Sequence, residues 1–327
     1  MNLSHKPLSL QYINERILHP CPPFHFDGTV YKPSYFPGPD LVFEPGHLWN
    51  SMRFGGKVYG IRMDNLGEVE DPAVRLVVFS EIPAAPAIID EIAAEMAWRY
   101  NLMADLSQFY NRFADDNLLA PVLLRWRGVR PSTYSSLYEF LVISTLLQNA
   151  TVRRTVQMAG NLFDRFGRWI EYDGRLLASY WDPAEIRGVS EDDLRALKIG
   201  YRAKTLKRQA EAFVQDGLDE LILRDYPTPE LKKALLSIYG VGPASVGYLL
   251  FGQFKRYDIF ETIPPWEQKI YSRLLFNKEL VDGTVILGEV ERRWGCWKML
   301  AAHLIFEDLF WQRRNLPVPW LEELIRL

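Results

Sequence analysis

Cysteine is scarce: Cys21 and Cys296 are the only two in 327 residues. That number excludes a disulfide scaffold, a four-cysteine zinc site and an iron–sulfur cluster. Two thiols so far apart in the chain read as buried, unpaired side chains. Long apolar runs are missing as well. None approaches the ~18 residues of a membrane span. The first 23 residues carry Lys6, Glu15, Arg16 and two histidines where a signal peptide would need an apolar core, so no signal peptide is expected. Nor is there an excess of positive charge. Lys and Arg total 38 against 41 Asp and Glu, a net charge of −3, which argues against a surface coated in basic patches. Low-complexity tracts and internal repeats are also absent.

What is present is ordinary globular composition, 48% hydrophobic and 24% charged, in a chain long enough for two domains with sizeable cores. Charge is unevenly spread. Residues 1–115 hold 9 Lys and Arg against 14 Asp and Glu, whereas 116–327 hold 29 against 27. A nucleic-acid contact would therefore be local and would belong to the second part.

The hydrophobic pattern changes at the same place. After a Pro- and aromatic-rich stretch to residue 40, short β-prone runs at Leu41–Phe43, Val58–Met63 and Arg75–Phe79 are separated by turn formers, among them Pro45-Gly46 and Gly55-Gly56. They predict a small antiparallel sheet. From Ala84 to about Asp115, Ile88, Ile89, Ile92, Met96 and Tyr100 recur at helical spacing. Beyond 116 the reading is helical throughout, with Gly, Pro, Asp or Asn between segments and no convincing strand. The expected fold is α+β: an N-terminal antiparallel β-sheet plus helix domain, 1–115, and an all-α domain, 116–327.

One segment carries chemistry. Leu235–Leu250, LLSIYGVGPASVGYLL, reads as a helix, the turn Gly240-Val241-Gly242-Pro243, and a second helix. Glycines permit backbone conformations and close approach that other residues do not. Pro243 suits a first helical position, and the N–H groups that follow form an anion site. Such a hairpin grips a phosphate backbone without reading bases. Taken alone, it also fits a tight corner in a helical core.

The order of segments around this hairpin resembles the helix-hairpin-helix (HhH-GPD) DNA glycosylase superfamily over essentially the whole second domain. Leu137–Gly167 is similar to the first core helices, with Gln148 and Asn149 at the helix end that faces DNA. Leu197–Phe213 resembles the Leu-Gly-basic-Ala helix. Tyr257–Leu274 resembles the segment with the catalytic Asp, and Arg293–Trp311 the closing helix. The bacterial 3-methyladenine DNA glycosylase II and 8-oxoguanine DNA glycosylase type is the nearest in pattern. The resemblance implies double-stranded DNA with a damaged base as partner, a monomer, and a cytoplasmic location, nucleoid-associated in a bacterium. It implies no required cofactor. A Na+ or K+ ion would sit on the backbone carbonyls of Leu236, Ile238 and Val241, with the N–H groups of Gly240, Gly242 and Ala244 toward phosphate.

Two departures matter. The bifunctional branch has a catalytic Lys where this chain has Ala244, so Schiff-base chemistry at that place is unavailable and a monofunctional enzyme without β-lyase activity is expected. Anchored on Pro265, Ile270 and Arg273, the catalytic Asp position falls on Glu267. The chemistry needs a carboxylate beside an oxocarbenium-like sugar. Glu supplies that carboxylate on a longer arm, and an ordinary first-turn carboxylate is the competing reading. Glu261 and then Asp258 are the substitutes.

For the flipped base, which is held by stacking, Trp266 and Phe306 are the expected pocket rings, while Trp294, Trp297 and Trp311 read as core. Gln148 and Asn149 are candidates to fill the gap left by the base. Tyr138 cannot be separated from core, and His303 reads as a helix residue without a metal-like spacing. Arg153, Arg154, Arg202, Lys204, Lys207 and Arg208 form a basic run, commonly just a solvated face. Three functions fit these residues: hydrolytic release of a damaged base, with an alkylated base favoured by the aromatic supply and 8-oxoguanine as a further specificity; lesion binding without release; and a helical protein unconnected with DNA.

Overall fold

The computed structural model of the chain describes residues 6–34 and 38–324; the ends of the two expected domains, 1–5 and 325–327, lie outside them. In chain order, β1 (Leu8–Ser9) and β2 (Tyr12–Leu18) lead through α1 (Phe26–Val30) to β3 (Leu41–Glu44), β4 (His47–Phe54), β5 (Lys57–Asn65) and β6 (Val74–Ser80). Strands β2 to β6 make a five-stranded antiparallel sheet in the order β2-β6-β5-β4-β3. Gly55 and Gly56 turn β4 into β5 with φ of +54° and +75°, the left-handed pair that a two-residue hairpin requires. The run predicted no strand at β4 because Leu48 to Met52 are all buried. A strand covered on both faces loses its alternation.

One face of this sheet is covered by α2 (Pro86–Arg99), whose Ile89, Ile92 and Met96 pack on Leu48, Ile61, Met63 and Leu76. The helix expected to run on to about Asp115 ends here. Asn101 adopts a left-handed φ of +54°, and α3 (Ser107–Arg112) starts afresh. Next come α4 (Ala120–Arg125), α5 (Leu137–Leu147) and α6 (Val152–Phe166). The opposite sheet face meets β7 (Arg168–Tyr172) and β8 (Arg175–Ser179), through Trp49, Val77 and Phe79 against Ile170, Tyr172 and Leu177.

This hairpin corrects the strand-free reading of the second part. Asp173 and Gly174, with φ of +49° and +69°, form its tight turn, and β1 pairs in parallel with β7. The remainder is helical as expected: α7 (Pro183–Arg187), α8 (Glu191–Leu194), α9 (Arg202–Val214), α10 (Glu220–Arg224), α11 (Thr228–Ser237), α12 (Pro243–Tyr248), α13 (Pro265–Phe276), α14 (Gly283–Trp294), α15 (Lys298–Asn315) and α16 (Pro319–Leu324). The reading of both thiols as buried is also corrected: Cys21 is half-buried and Cys296 exposed.

Two apolar clusters position the site. One joins α3 and α4 to α13, α14 and α15 around Phe109, Ile270, Trp294 and Leu304. The other joins α5, α11 and α12 around Leu141, Leu231, Leu235 and Leu249. The short helix α12 belongs to both. Val246 enters the second cluster, and Tyr248 packs against the first. Buried Glu95 on α2, bonded to Arg99 at 2.8 Å and to Arg224 on α10 at 2.7 Å, ties the sheet's helix to the helical region.

Candidate active site

The hairpin turn between α11 and α12 has the geometry its glycines dictate. Gly240 has φ +86°, and a Cβ there would come within 2.5 Å of Thr205 Cγ2, so both conformation and space demand glycine. Gly242 is different: it caps α12 with φ −105°, and a Cβ there would meet nothing within 4 Å. Its backbone faces open space, ahead of Pro243 at the first helical position and of Ala244. Ile238 and Val241 lie in this turn, and Leu236 stands in the last turn of α11 before it. The Ile238 carbonyl accepts the Val241 N–H at 3.0 Å, which leaves it a second lone pair. The carbonyl chemistry and the shared turn fit a monovalent cation. Among the described residues, no group of three or more His, Cys, Asp or Glu side chains is placed to hold a metal ion.

The end of α5 is fastened to this turn. Gln148 Nε2 donates to the Gly240 carbonyl at 3.1 Å, and Gln209 Nε2 donates to the Tyr239 carbonyl at 3.2 Å. The Gln148 carbonyl in turn accepts from Tyr201 Oη at 3.2 Å and from the Arg202 guanidinium. Asn149 follows in the left-handed region, φ +50°, with an exposed side chain. Gln148 is thus bound into the hairpin's support, while the more exposed Asn149 side chain reaches Tyr201, its Nδ2 donating to Oη at 3.5 Å. Two exposed rings flank the group. Tyr201 is 55% exposed, and Tyr239, 47% exposed, lies under Lys204. Neither was singled out in the sequence, although each adjoins a turn glycine, which is the signal that would have found them. Of the basic run, Arg154 donates to the Lys198 carbonyl and Lys207 to the Arg187 and Val189 carbonyls, so these two serve local structure.

Glu267 stands third in α13, after Pro264 at the cap and Pro265. It is only 7% exposed. Its Oε1 accepts a hydrogen bond from Tyr248 Oη at 2.6 Å. Burial pushes the Glu267 carboxyl up to about 7, against the pull of the Tyr248 hydroxyl. The Tyr248 phenol is raised in turn, by its own burial and then by the Glu267 charge. Tyr248 was not anticipated. It lies on α12, the helix that the hairpin launches, so the hairpin and the carboxylate are coupled through one side chain.

The structure brings Trp266 and Phe306 to the same place. Their rings meet edge-on at 5.9 Å, Trp266 being 42% exposed and Phe306 buried. Phe306 stacks on Phe310 at 4.7 Å and lies 6.3 Å from Tyr271. Burial raises the Tyr271 phenol, and the charges of both Glu267 and Glu307 add to the rise. The substitutes lie elsewhere. Glu261 pairs with Lys232 at 2.6 Å in an exposed position, and Asp258 is exposed. Tyr138 is core, its hydroxyl accepting from Trp181 Nε1. Trp294, Trp297 and Trp311 pack against Asp116, Tyr257 and Trp126 respectively. His303 lies half-buried on α15, its Nε2 3.2 Å from Lys32 Nζ.

No sequence family matches the chain, and no curated protein matches it by sequence. Solved structures do match in fold. A 3-methyladenine DNA glycosylase from Archaeoglobus fulgidus superposes with a TM-score of 0.74 at 16% identity, over 90% of this chain and 98% of that one. MBOgg1, solved with a low-affinity DNA ligand, gives 0.69 at 20% identity, over 96% and 99%. The 8-oxoguanine glycosylase/lyase of Clostridium acetobutylicum gives 0.64 at 18% identity, over 91% and 99%. The chain therefore has the fold of these glycosylases across nearly its whole length: an antiparallel sheet at the N-terminal side and a mostly helical remainder. Among the described residues, no helix is long and apolar enough to cross a membrane.

Proposed function

We propose that the chain is a monofunctional DNA glycosylase acting on double-stranded DNA that carries a damaged, N-alkylated base. The observation that carries this reading is the buried Glu267 carboxylate, held by Tyr248 of the hairpin helix and flanked by the Trp266–Phe306 pair. The glycosylase fold supports it. The hairpin N–H groups around Gly240, Gly242 and Ala244 take a phosphate. The carbonyls of Leu236, Ile238 and Val241 are the groups that would hold a monovalent cation, which would supply positive charge to the hairpin. Asn149 occupies the gap left in the duplex, and Trp266 and Phe306 stack on the extruded base.

When the bond between the base and C1′ breaks, its electron pair leaves with the base and the sugar becomes oxocarbenium-like. Ionised Glu267 stabilises that cation through a low-dielectric surrounding. A water oxygen then bonds to C1′, and its proton passes to Glu267. A cationic alkylated base departs neutral and needs no general acid. Ala244 offers no amine to C1′, so no Schiff base forms there and the strand is left uncut.

The test is single-turnover base release from duplexes carrying alkylated, deaminated or oxidised bases, wild type beside Glu267→Gln, with borohydride added in parallel. Release that disappears in the Gln variant, with no protein–DNA adduct trapped, is the expected result. Trapped adduct refutes the monofunctional assignment. Retention of every lesion by a protein that still binds the duplex replaces catalysis with lesion binding.

A further inference from the structure

A cleft of about 580 Å³ opens where the β4–β5 hairpin, residues 81–84 and the junction of α6 with β7 come together. None of its lining residues belongs to α12, α13 or α15, so it is separate from the candidate active site. Its lining is rich in donors with nothing to donate to. Tyr59, in β5, is only 4% exposed, yet its hydroxyl makes no hydrogen bond among the described residues. The half-buried Trp169, in β7, likewise leaves its indole N–H without a partner among them. Tyrosine and tryptophan taken out of water ordinarily find a partner for these groups.

Four cationic side chains stand around the two donors: Lys6, Lys57, Arg165 and Arg168, all exposed. None of them is ion-paired with a described carboxylate, and Arg165 lies instead over the Phe166 ring at 5.3 Å. Arg53 and Glu185 also line the cleft, but they approach each other at 3.9 Å, and Glu185 is engaged by the Asp182 N–H besides. Glu81 and Asp164 complete the charged lining, without ion partners among the described residues. Four free cations against two free carboxylates leave a surplus of two positive charges. That surplus matches a phosphate monoester, which carries about −1.5 to −2 at pH 7. A phosphodiester within a nucleic-acid strand carries a single charge, so the balance favours a terminal phosphate.

The rest of the lining indicates what the phosphate is attached to. Phe166 and Trp169, both half-buried, are aromatic surfaces on which a flat base can stack. Glu81 and Asp164 would repel a bare anion but can accept from the hydroxyls of a sugar. The volume lies within the ~300–1,000 Å³ typical of small-molecule sites. We propose that this cleft binds a nucleoside monophosphate, its phosphate taken by Lys57, Arg168 and the Tyr59 hydroxyl and its base set against Trp169 and Phe166. The site is independent of base release at Glu267.

The experiment is calorimetric titration of the full chain with AMP, GMP, CMP and UMP, with adenosine and inorganic phosphate as references. At least one nucleotide is expected to bind saturably and at least ~10-fold more tightly than either reference, the scale of one hydrogen bond to a charged group. Lys57→Ala/Arg168→Ala, at two exposed positions, should weaken that binding by at least ~10-fold, and Tyr59→Phe, which removes only the hydroxyl, by roughly 2–10-fold. Thermal unfolding checks that both proteins are folded; should the double variant fail to fold, Tyr59→Phe alone decides. No saturable nucleotide binding, or binding that the folded variants leave unchanged, overturns the proposal. Inorganic phosphate that binds as tightly as the nucleotides reduces the cleft to a simple anion site and overturns it too. A single-stranded oligonucleotide that displaces the nucleotide, binds more tightly than it and loses affinity in the same variants would assign the cleft to a nucleic-acid backbone instead.

Discussion

Replacing Glu267 by Gln separates what the carboxylate costs the fold from what it does for the chemistry. The folded carboxyl is raised from an ordinary 4.5 to about 7. Below pH 4.5 it is protonated in both folded and unfolded chains, and no penalty exists. Between 4.5 and 7 the unfolded chain ionises while the folded one keeps its proton, so the folded state binds more protons and stability falls as pH rises. Above 7 the penalty is complete, about 3 kcal/mol at 1.36 kcal/mol per pH unit. Gln cannot ionise and escapes this penalty at every pH. Relative to wild type, Glu267→Gln should therefore gain about 2–3 kcal/mol of stability between pH 5 and pH 8.5. Urea unfolding at the two pH values measures it. Base release should show the opposite sense: in wild type it rises with pH through about 7, as Glu267 ionises, and in the Gln variant it is absent. A variant whose stability relative to wild type is the same at both pH values, or lower at 8.5, would refute the reasoning, because the carboxyl would then not be a buried group that titrates.

Other outcomes follow from the same geometry. Gly240→Ala should cost at least about 1–2 kcal/mol, since it forces a left-handed alanine and a contact with Thr205, whereas Gly242→Ala should leave stability nearly unchanged and weaken only DNA binding; thermal unfolding and duplex titration distinguish the two. Glu95→Gln should destabilise by about 1.5–3 kcal/mol, because Arg99 and Arg224 lose the carboxylate they share and keep only Glu139, the Tyr134 carbonyl and Glu220. Against the burial that raises it, hydrogen bonds and charge from those arginines bring Glu95 down to about 2, so wild-type stability should decline as pH falls from 4.5 toward 2, and the variant should lack that decline. Glu267→Asp should withdraw the carboxylate by roughly one bond from Tyr248, and a shift on the order of 1 Å predicts a loss of ~100-fold in single-turnover rate; full activity would mean that Tyr248 does not set its position.

Much of this was legible because it is local. Gly-Val-Gly-Pro fixes a helix–turn–helix wherever it stands, and Gly55-Gly56 fixes a hairpin. Asp173-Gly174 is a turn signal of equal strength, but strands of five residues on either side are too short for alternation alone to reveal. The partners of Glu267 were harder to find. Tyr248 lies only 19 residues away, yet its role depends on how α12 seats between two cores. The hydrogen bond from Ser34 Oγ to Glu307 Oε1 was invisible for a plainer reason. Ser34 and Glu307 are 273 residues apart, and no periodicity records a contact of that range.

Glu267 invites one bland explanation, that it is a first-turn carboxylate serving its own helix. The structure contains the control for that explanation. At α5 and α7 a Glu occupies the same third position and reaches back to the cap residue's N–H, Glu139 to Ser136 at 2.7 Å and Glu185 to Asp182 at 3.0 Å. That reciprocal arrangement spends the carboxylate on the helix end. At α13 the cap is Pro264, which has no N–H, and Pro265 follows it without one either. The capping use is chemically closed to Glu267. Its oxygen instead accepts from a hydroxyl on a different helix, and the carboxylate remains buried where burial is unfavourable to it. A helix that needed only a first-turn anion would keep it exposed at lower cost. The two prolines thus do more than start α13: they leave the carboxylate free to bond outside its own helix, as it does to Tyr248.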